Sequence, residues 1–346
     1  LKTLQIHFPL KTLALHLAVF CLLLGLGEVL LRIDRLTSRL AAPSLGSEHH
    51  QFEIQLARLE AAYEREGAID CIFVGDSLVW LDLDPLKFSD GYRDASGKEL
   101  QCFNFGIAAL PASGVSVLTK ILVEEYHPHL VVYGLHANSV VVPQDATDTN
   151  IVLDTPWVRY KSGSFNPSGW LYEHSYLVRY LKTLNRVMRL DPDALINEQG
   201  TTAHQLLGFD PKNGQRIDIN IPPSRNNPAD INGFEKYYKY HIYPENITGI
   251  QSIAEISDND IKVVMVVMPI SRSFYAFFEN GKEDYSHITD VIQHALADTD
   301  TVLVQTDGQI LLSDSDWWDY SHLNFGGAEQ FSYWLGDRVG NLLFDD

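Results

Sequence analysis

Three short stretches of this chain bring together residue types that run acyl chemistry. The first is Gly75-Asp76-Ser77, which closes the apolar, β-branched run IDCIFVGDS over residues 69–77. A serine at the carboxyl end of a buried strand, on a turn leading to a helix, presents its hydroxyl where open α/β sheets bind ligands, and the glycine permits the tight backbone. The second is Asp319-Tyr320-Ser321-His322, just before the terminal run NFGGAEQFSYWLGDRVGNLL. An aspartate three residues before a histidine in one loop can hold the imidazole in the tautomer whose other nitrogen takes a proton from serine. Each pattern is common by chance. Their placement is not, because a loop after the last strand returns to the strand ends that hold Ser77. The third element is a set of donors for a developing oxyanion: the Ser77 N–H, the Gly106 N–H at the end of a second strand, and the side-chain amide of Asn138 just past a third. Ser77 as nucleophile, His322 as base and Asp319 as orienter predict covalent acyl transfer.

Positioning these groups requires a sheet. Short apolar runs recur at 69–77, at QCFNFG ending on Gly106, at HLVVYGLHAN (129–138), at KVVMVVMPI (262–270) and, more weakly, at TVLVQTD (301–307). Helical stretches such as SGVSVLTKILVEEY separate them. The pattern predicts an α/β domain over residues 67–346 with a doubly wound (flavodoxin-like) parallel sheet of about five strands. Its regular spacing breaks over residues 139–261, a stretch far longer than one crossover helix. That segment carries Trp157, Tyr160, Phe165, Trp170, Tyr172, Tyr176 and Tyr180, a helical run LVRYLKTLNRVMRL, and the turn-rich FDPKNGQR and IPPSRNNPAD. So long a structureless loop is out of keeping with a compact domain, which predicts a folded insertion, either packing material or a substrate lid.

Ahead of the domain, Leu13 to Leu31 reads LALHLAVFCLLLGLGEVLL, broken only by His16 and Glu28. At 1.5 Å per residue this nearly crosses a hydrocarbon core of about 30 Å, so a single transmembrane helix is expected over 13–33, after a tail at 1–12. The run exceeds the apolar core of a signal peptide and leads into RIDRLTSR rather than a cleavage site, which favours an uncleaved anchor. Lys2 and Lys11 precede the span while Arg32, Arg35 and Arg39 follow it, so charge does not fix the orientation. Glu28 is expected at the interface, with a partner helix as the other option. Residues 34–66 read as a helical linker, with Phe52, Ile54, Leu56, Leu59 and Tyr63 as an irregular stripe, spacing the body from the bilayer.

The 346 residues hold 26 Lys+Arg against 45 Asp+Glu, a net charge of −19 that sets a low expectation for nucleic-acid binding. Residues 1–40 carry +3 and the remainder −22. Cys21, Cys71 and Cys102 show no zinc spacing, and the last two read as small buried side chains, with a disulfide as the minor alternative. His49-His50 and His127-Pro128-His129 lack partner ligands, and the acidic pairs Asp258/Asp260 and Asp314/Asp316 lack the glycine and glutamate of a calcium loop. No metal and no cofactor is expected. Trp317 and Trp318 read equally as a sugar platform or as a wall of the site, and Asn246-Ile247-Thr248 is a glycosylation sequon.

These residues resemble the SGNH (GDSL-like) hydrolase superfamily, and the anchor plus insertion resembles its membrane-bound branch related to alginate and teichoic-acid modification proteins. The resemblance covers about residues 67–346 outside the insertion. It implies Ser77 as nucleophile, Gly106 as the glycine of the second block, Asn138 as the asparagine of the third, and Asp319 and His322 as the final pair. The third block departs from the pattern: Gly134-Leu135-His136-Ala137-Asn138-Ser139 stands in place of Gly-x-Asn-Asp, so His136 is an alternative to Asn138. The expected function is a serine-dependent esterase or O-acyltransferase, membrane-held with its body outside the cytoplasm. Its substrate would be an acyl ester or cell-surface glycan, and a membrane acyltransferase is a candidate partner. A non-catalytic assembly subunit and a lipid-active esterase are the alternatives.

Overall fold

The computed structural model describes residues 10–33, 42–187, 202–224, 234–257 and 260–344. Expectations that fall on residues 1–9 and 34–41, on the end of LVRYLKTLNRVMRL, and on Asp258 lie outside the described residues.

Helix α1 (Leu10–Leu31) is continuous and apolar, and α2 (His50–Glu66) follows. The body then reads β1 (Cys71–Gly75), α3 (Ser77–Asp82), α4 (Pro85–Ser96), β2 (Cys102–Gly106), α5 (Ala112–Tyr126) and β3 (Leu130–Leu135). Next come α6 (Ala137–Val141), α7 (Thr147–Leu153), α8 (Pro156–Lys161), α9 (Pro167–His174) and α10 (Tyr176–Val187). The chain closes with α11 (Pro244–Ala254), β4 (Lys262–Val267), α12 (Lys282–Ala295), β5 (Val302–Val304) and α13 (Phe325–Phe344).

The five strands pair in the order β2-β1-β3-β4-β5, all parallel. Successive strand residues point to opposite faces, so an unbroken apolar strand feeds two cores at once. Ile72 and Val74 of β1, Val131 and Tyr133 of β3, and Val263 and Met265 of β4 join one core with α2, α5, α11 and α12. Cys71, Phe73, Leu130, Val132, Val264 and Val266 join the other, which is closed by α3, α4 and α13. The order of strand addition reverses at β1, whose neighbours are β2 on one side and β3 on the other. The carboxyl ends of β1 and β3 therefore flank the switch point of the sheet.

One expectation changes here. Helix α2 is no spacer: Phe52, Leu56, Leu59 and Ala62 are buried in the first core, and its Gln55 amide donates to the carbonyls of Asn104 and Gly208. Its apolar stripe was legible, but not that the stripe covers the sheet. The described parts of segment 139–261 are folded, as expected, and they include the crossover helix α11 that packs against α5 and α12. The sequon asparagine is core cement: Asn246 is fully buried, accepts the Ser113 N–H at 3.1 Å and donates to Val142 O at 2.6 Å. Cys71 and Cys102 are register partners on β1 and β2, buried and unbonded.

Candidate active site

The strand β1 ends on Gly75, whose φ of +150° and close neighbours leave no room for a side chain: a Cβ there would lie 2.4 Å from Val79 Cγ2. This turn starts α3, with Asp76 as its N-cap accepting the Leu78 N–H at 3.0 Å and Ser77 as its first residue. The serine is thus held at the switch point by a strand on one side and a helix on the other.

Ser77 and His322 meet across the chain, with His322 Nε2 2.9 Å from Ser77 Oγ. The other ring nitrogen, Nδ1, is 3.0 Å from both Oδ1 and Oδ2 of Asp319. A carboxylate on Nδ1 keeps the proton there and leaves Nε2 as acceptor for the serine hydroxyl. Burial works against a charged Asp319, but the hydrogen bonds and charge of His322 and the N–H groups of Ser321 and His322 outweigh it and hold its pKa low. The turn is pinned from outside as well. Leu323 N–H donates to Asp82 Oδ1 at 2.9 Å, and Ser271 Oγ donates to Tyr320 O at 2.6 Å.

The oxyanion donors divide. The Ser77 N–H makes no hydrogen bond among the described residues and is open to a ligand. The Gly106 N–H is not: it donates to Asn104 Oδ1 at 2.9 Å, which corrects the expectation that it faces the serine. Gly106 is needed for packing, since a Cβ would stand 2.3 Å from the backbone nitrogen of Trp80 in the nucleophile helix. Asn104 itself, fully buried, donates to Val79 O at 2.6 Å and Leu83 O at 2.7 Å, tying β2 to the end of α3.

Asn138 is buried in the first turn of α6, and its amide has a fixed orientation. Its Oδ1 accepts from the Lys236 ammonium, and its Nδ2 donates to Asp76 Oδ2 at 2.8 Å. One amide proton is spent on Asp76, and the other has no hydrogen-bond partner among the described residues. His136 does not take this place. Its Nε2 lies 2.6 Å from Asp76 Oδ2, while Nδ1 accepts from backbone N–H groups of α6, so Nε2 carries the proton towards the carboxylate. Burial disfavours the Asp76 anion, yet His136, the Leu78 N–H and Asn138 hold its pKa below the ordinary value.

Two groups escaped sequence reasoning. Asp82 is completely buried, and burial together with the nearby Asp319 and Asp76 charges pushes its pKa well above the ordinary value, which favours its protonated form. The alternation in WLDLDPL, two acids between apolar residues, was its only signal. Lys236 is exposed as a residue, yet its ammonium reaches inward to Asn138, where desolvation lowers its pKa. Nothing in FEKYYKY marked it. Trp317 is buried beside Leu323, and Trp318 stands against His322 at a ring separation of 6.0 Å. Lys212 and Arg216 lie over the Trp318 ring at 5.7 and 5.2 Å, so cations already cover the aromatic surface that a sugar would need. Trp318 is a wall rather than a free platform. The chain matches no protein-family model and no curated protein.

Proposed function

We propose that this chain is a membrane-anchored, serine-dependent acyl-transfer enzyme of the SGNH type, an esterase or O-acyltransferase acting on a cell-surface glycan. The observation that carries this reading is the relay Asp319–His322–Ser77, with Nε2 2.9 Å from the hydroxyl and Nδ1 3.0 Å from the carboxylate. As Ser77 Oγ bonds to the acyl carbon, its proton passes to His322 Nε2. The Ser77 N–H and the free Asn138 amide proton receive the carbonyl oxygen's charge. Collapse breaks the bond to the donor alkoxide, which leaves with the proton from His322. The acyl-enzyme then yields its acyl group to a hydroxyl that His322 deprotonates, and the proton returns to Ser77. Water as the acceptor gives hydrolysis, and a glycan hydroxyl gives transfer.

Helix α1 is long and apolar enough to cross a membrane over Lys11–Leu31 and is exposed over most of its length, which supports the anchor; a body outside the cytoplasm rests on the family resemblance. The test is labelling of the full chain in detergent with a serine-reactive fluorophosphonate, followed by acetyl-ester turnover with and without a carbohydrate acceptor. Stoichiometric labelling that disappears in Ser77→Ala is expected. Folded protein that takes no label and turns over no ester would leave the binding-subunit alternative in its place.

A further inference from the structure

Helix α10 is amphipathic in the inverted sense. Its polar face turns inward: Arg179 is buried, with Nη2 2.7 Å from Glu60 Oε2, and Thr183 is buried, accepting the Ser44 N–H at 2.8 Å and donating to Ala42 O at 3.0 Å. Its apolar face turns outward. Leu177, Leu181 and Leu184 follow the i, i+4, i+7 spacing of one helix face, and Leu181 and Leu184 are 59% and 53% exposed. Adjoining α9 adds exposed Trp170 and Leu171, and the loop before it adds Phe165 at 91%. A surface helix that buries an arginine and shows leucines is matched to an apolar surrounding.

Its position says which one. Glu28, in the last turn of α1, accepts the N–H groups of Tyr176 and Leu177 at 2.9 and 3.0 Å and the Ser175 hydroxyl at 2.8 Å. The anchor thereby caps the start of α10. Arg32 completes the joint, bonding Glu28 and the His174 carbonyl at 3.0 Å each, with its guanidinium 4.8 Å from the Tyr176 ring centre. A Cβ at Gly27 would lie 3.9 Å from Leu177 Cδ1, so the two helices run close there. Glu28, expected at the interface or against a partner helix, faces a helix of its own chain. The exposed leucines therefore begin where the apolar helix ends, at the level where a span meets the headgroups.

We propose that α9 and α10 lie in the headgroup layer of the bilayer that α1 spans, with Leu177, Leu181 and Leu184 in the acyl boundary and Trp170 and Phe165 at the interface. The inference rests on the anchor reading but not on the acyl chemistry. The body is then docked at a fixed tilt, rather than swinging on a tether. Binding of this face is driven by apolar burial, so it needs no anionic lipid.

The test uses the full chain in phosphatidylcholine vesicles, with Cys21 in α1 as a natural reporter of the span. An environment-sensitive thiol fluorophore is placed on native Cys21 and, in a Cys21→Ser background, on Leu181→Cys, Leu184→Cys or Leu311→Cys. Cys71 and Cys102 are buried and stay unlabelled. Lipids spin-labelled high on the acyl chain should quench the probes at 181 and 184 at least twofold. Deep spin labels should quench Cys21, and the probe at Leu311, a residue 88% exposed, should respond to neither. If Cys21 is quenched while both 181 and 184 remain in water, the docking inference fails and the anchor stands. If those two probes are shielded from water yet unquenched by lipid, a protein surface covers α10 and the inference is again overturned. If Cys21 itself is unquenched, the anchor reading fails and takes the docking with it.

Discussion

Asp82 Oδ1 accepts the Leu323 N–H at 2.9 Å, so the last residue of the helix that starts with Ser77 holds the residue that follows His322. Ser77 and His322, 245 positions apart in sequence, are linked by this bond as well as by their own contact. Burial and the neighbouring carboxylates raise the pKa of Asp82 and so disfavour a second anion beside Asp319.

That protonation gives the first prediction. Asp82 has its pKa raised on folding, so between the ordinary value of 3.8 and the raised one the folded chain binds a proton the unfolded chain has lost. Stability from this site is greatest below the unfolded pKa and falls as pH rises through that window. Asp82→Asn keeps an acceptor for Leu323 and removes the titration, so it should raise the melting temperature at pH 7–8 and flatten the decline from acid to neutral pH. Asp82→Ala leaves the Leu323 N–H unpaired and should cost about 1–3 kcal/mol. Thermal melts across pH for both variants decide it, and a lower melting temperature for Asp82→Asn at pH 7 would refute the raised pKa.

Triad substitutions should rank by role. Ser77→Ala should remove covalent labelling entirely, and His322→Ala should slow it by orders of magnitude, since these residues act as a unit. Asp319→Asn should retain more activity than either, because serine and imidazole stay in place and only orientation and tautomer suffer. Rates of fluorophosphonate labelling, with circular dichroism to check folding, test the order. Equal loss in Asp319→Asn and Ser77→Ala would contradict it.

Much of this was legible because it depends on local pattern. Five apolar runs ending in Gly75, Gly106, Asn138 and two later turns are enough to order the strands, and loop position alone brought Asp319 and His322 to Ser77. What could not be read depends on partners distant in sequence. Gly106 looked like a donor because its conformation was foreseeable, whereas its engagement by Asn104 is set by how β2 meets α3. Lys236 reaches Asn138 from a segment with no periodicity, and α2 has a stripe whose target only the packed sheet supplies.

The third block supplies a sharper test. If Asn138 is the oxyanion donor, Asn138→Ala should lower turnover about a hundredfold, close to 3 kcal/mol. His136→Ala should do less, acting through Asp76, and its effect should grow as pH falls and Asp76 gains a proton. Lys236→Gln should retain most activity while loosening the amide's orientation. Steady-state ester turnover for the three variants checks the ranking, and a neutral Asn138→Ala beside a severe His136→Ala would move the oxyanion donor to His136.

Gly106 distinguishes packing from catalysis most directly. Its N–H is occupied by Asn104, and a methyl group at its Cα would meet the Trp80 nitrogen at 2.3 Å and the Asp76 carbonyl at 2.9 Å. Both neighbours are backbone atoms, so relief requires moving α3 away from β2, and overpacked cores typically lose about 1–3 kcal/mol. Gly106→Ala should therefore lower the melting temperature, and because α3 begins with Ser77, the same displacement should lengthen the contact with His322. Were Gly106 an oxyanion donor instead, the added methyl group would crowd the bound oxyanion, and the loss would appear in turnover with little change in stability. Measuring both in one preparation separates the cases. A drop in melting temperature together with slowed labelling supports the packing role, and unchanged stability with slowed turnover returns Gly106 to the oxyanion hole.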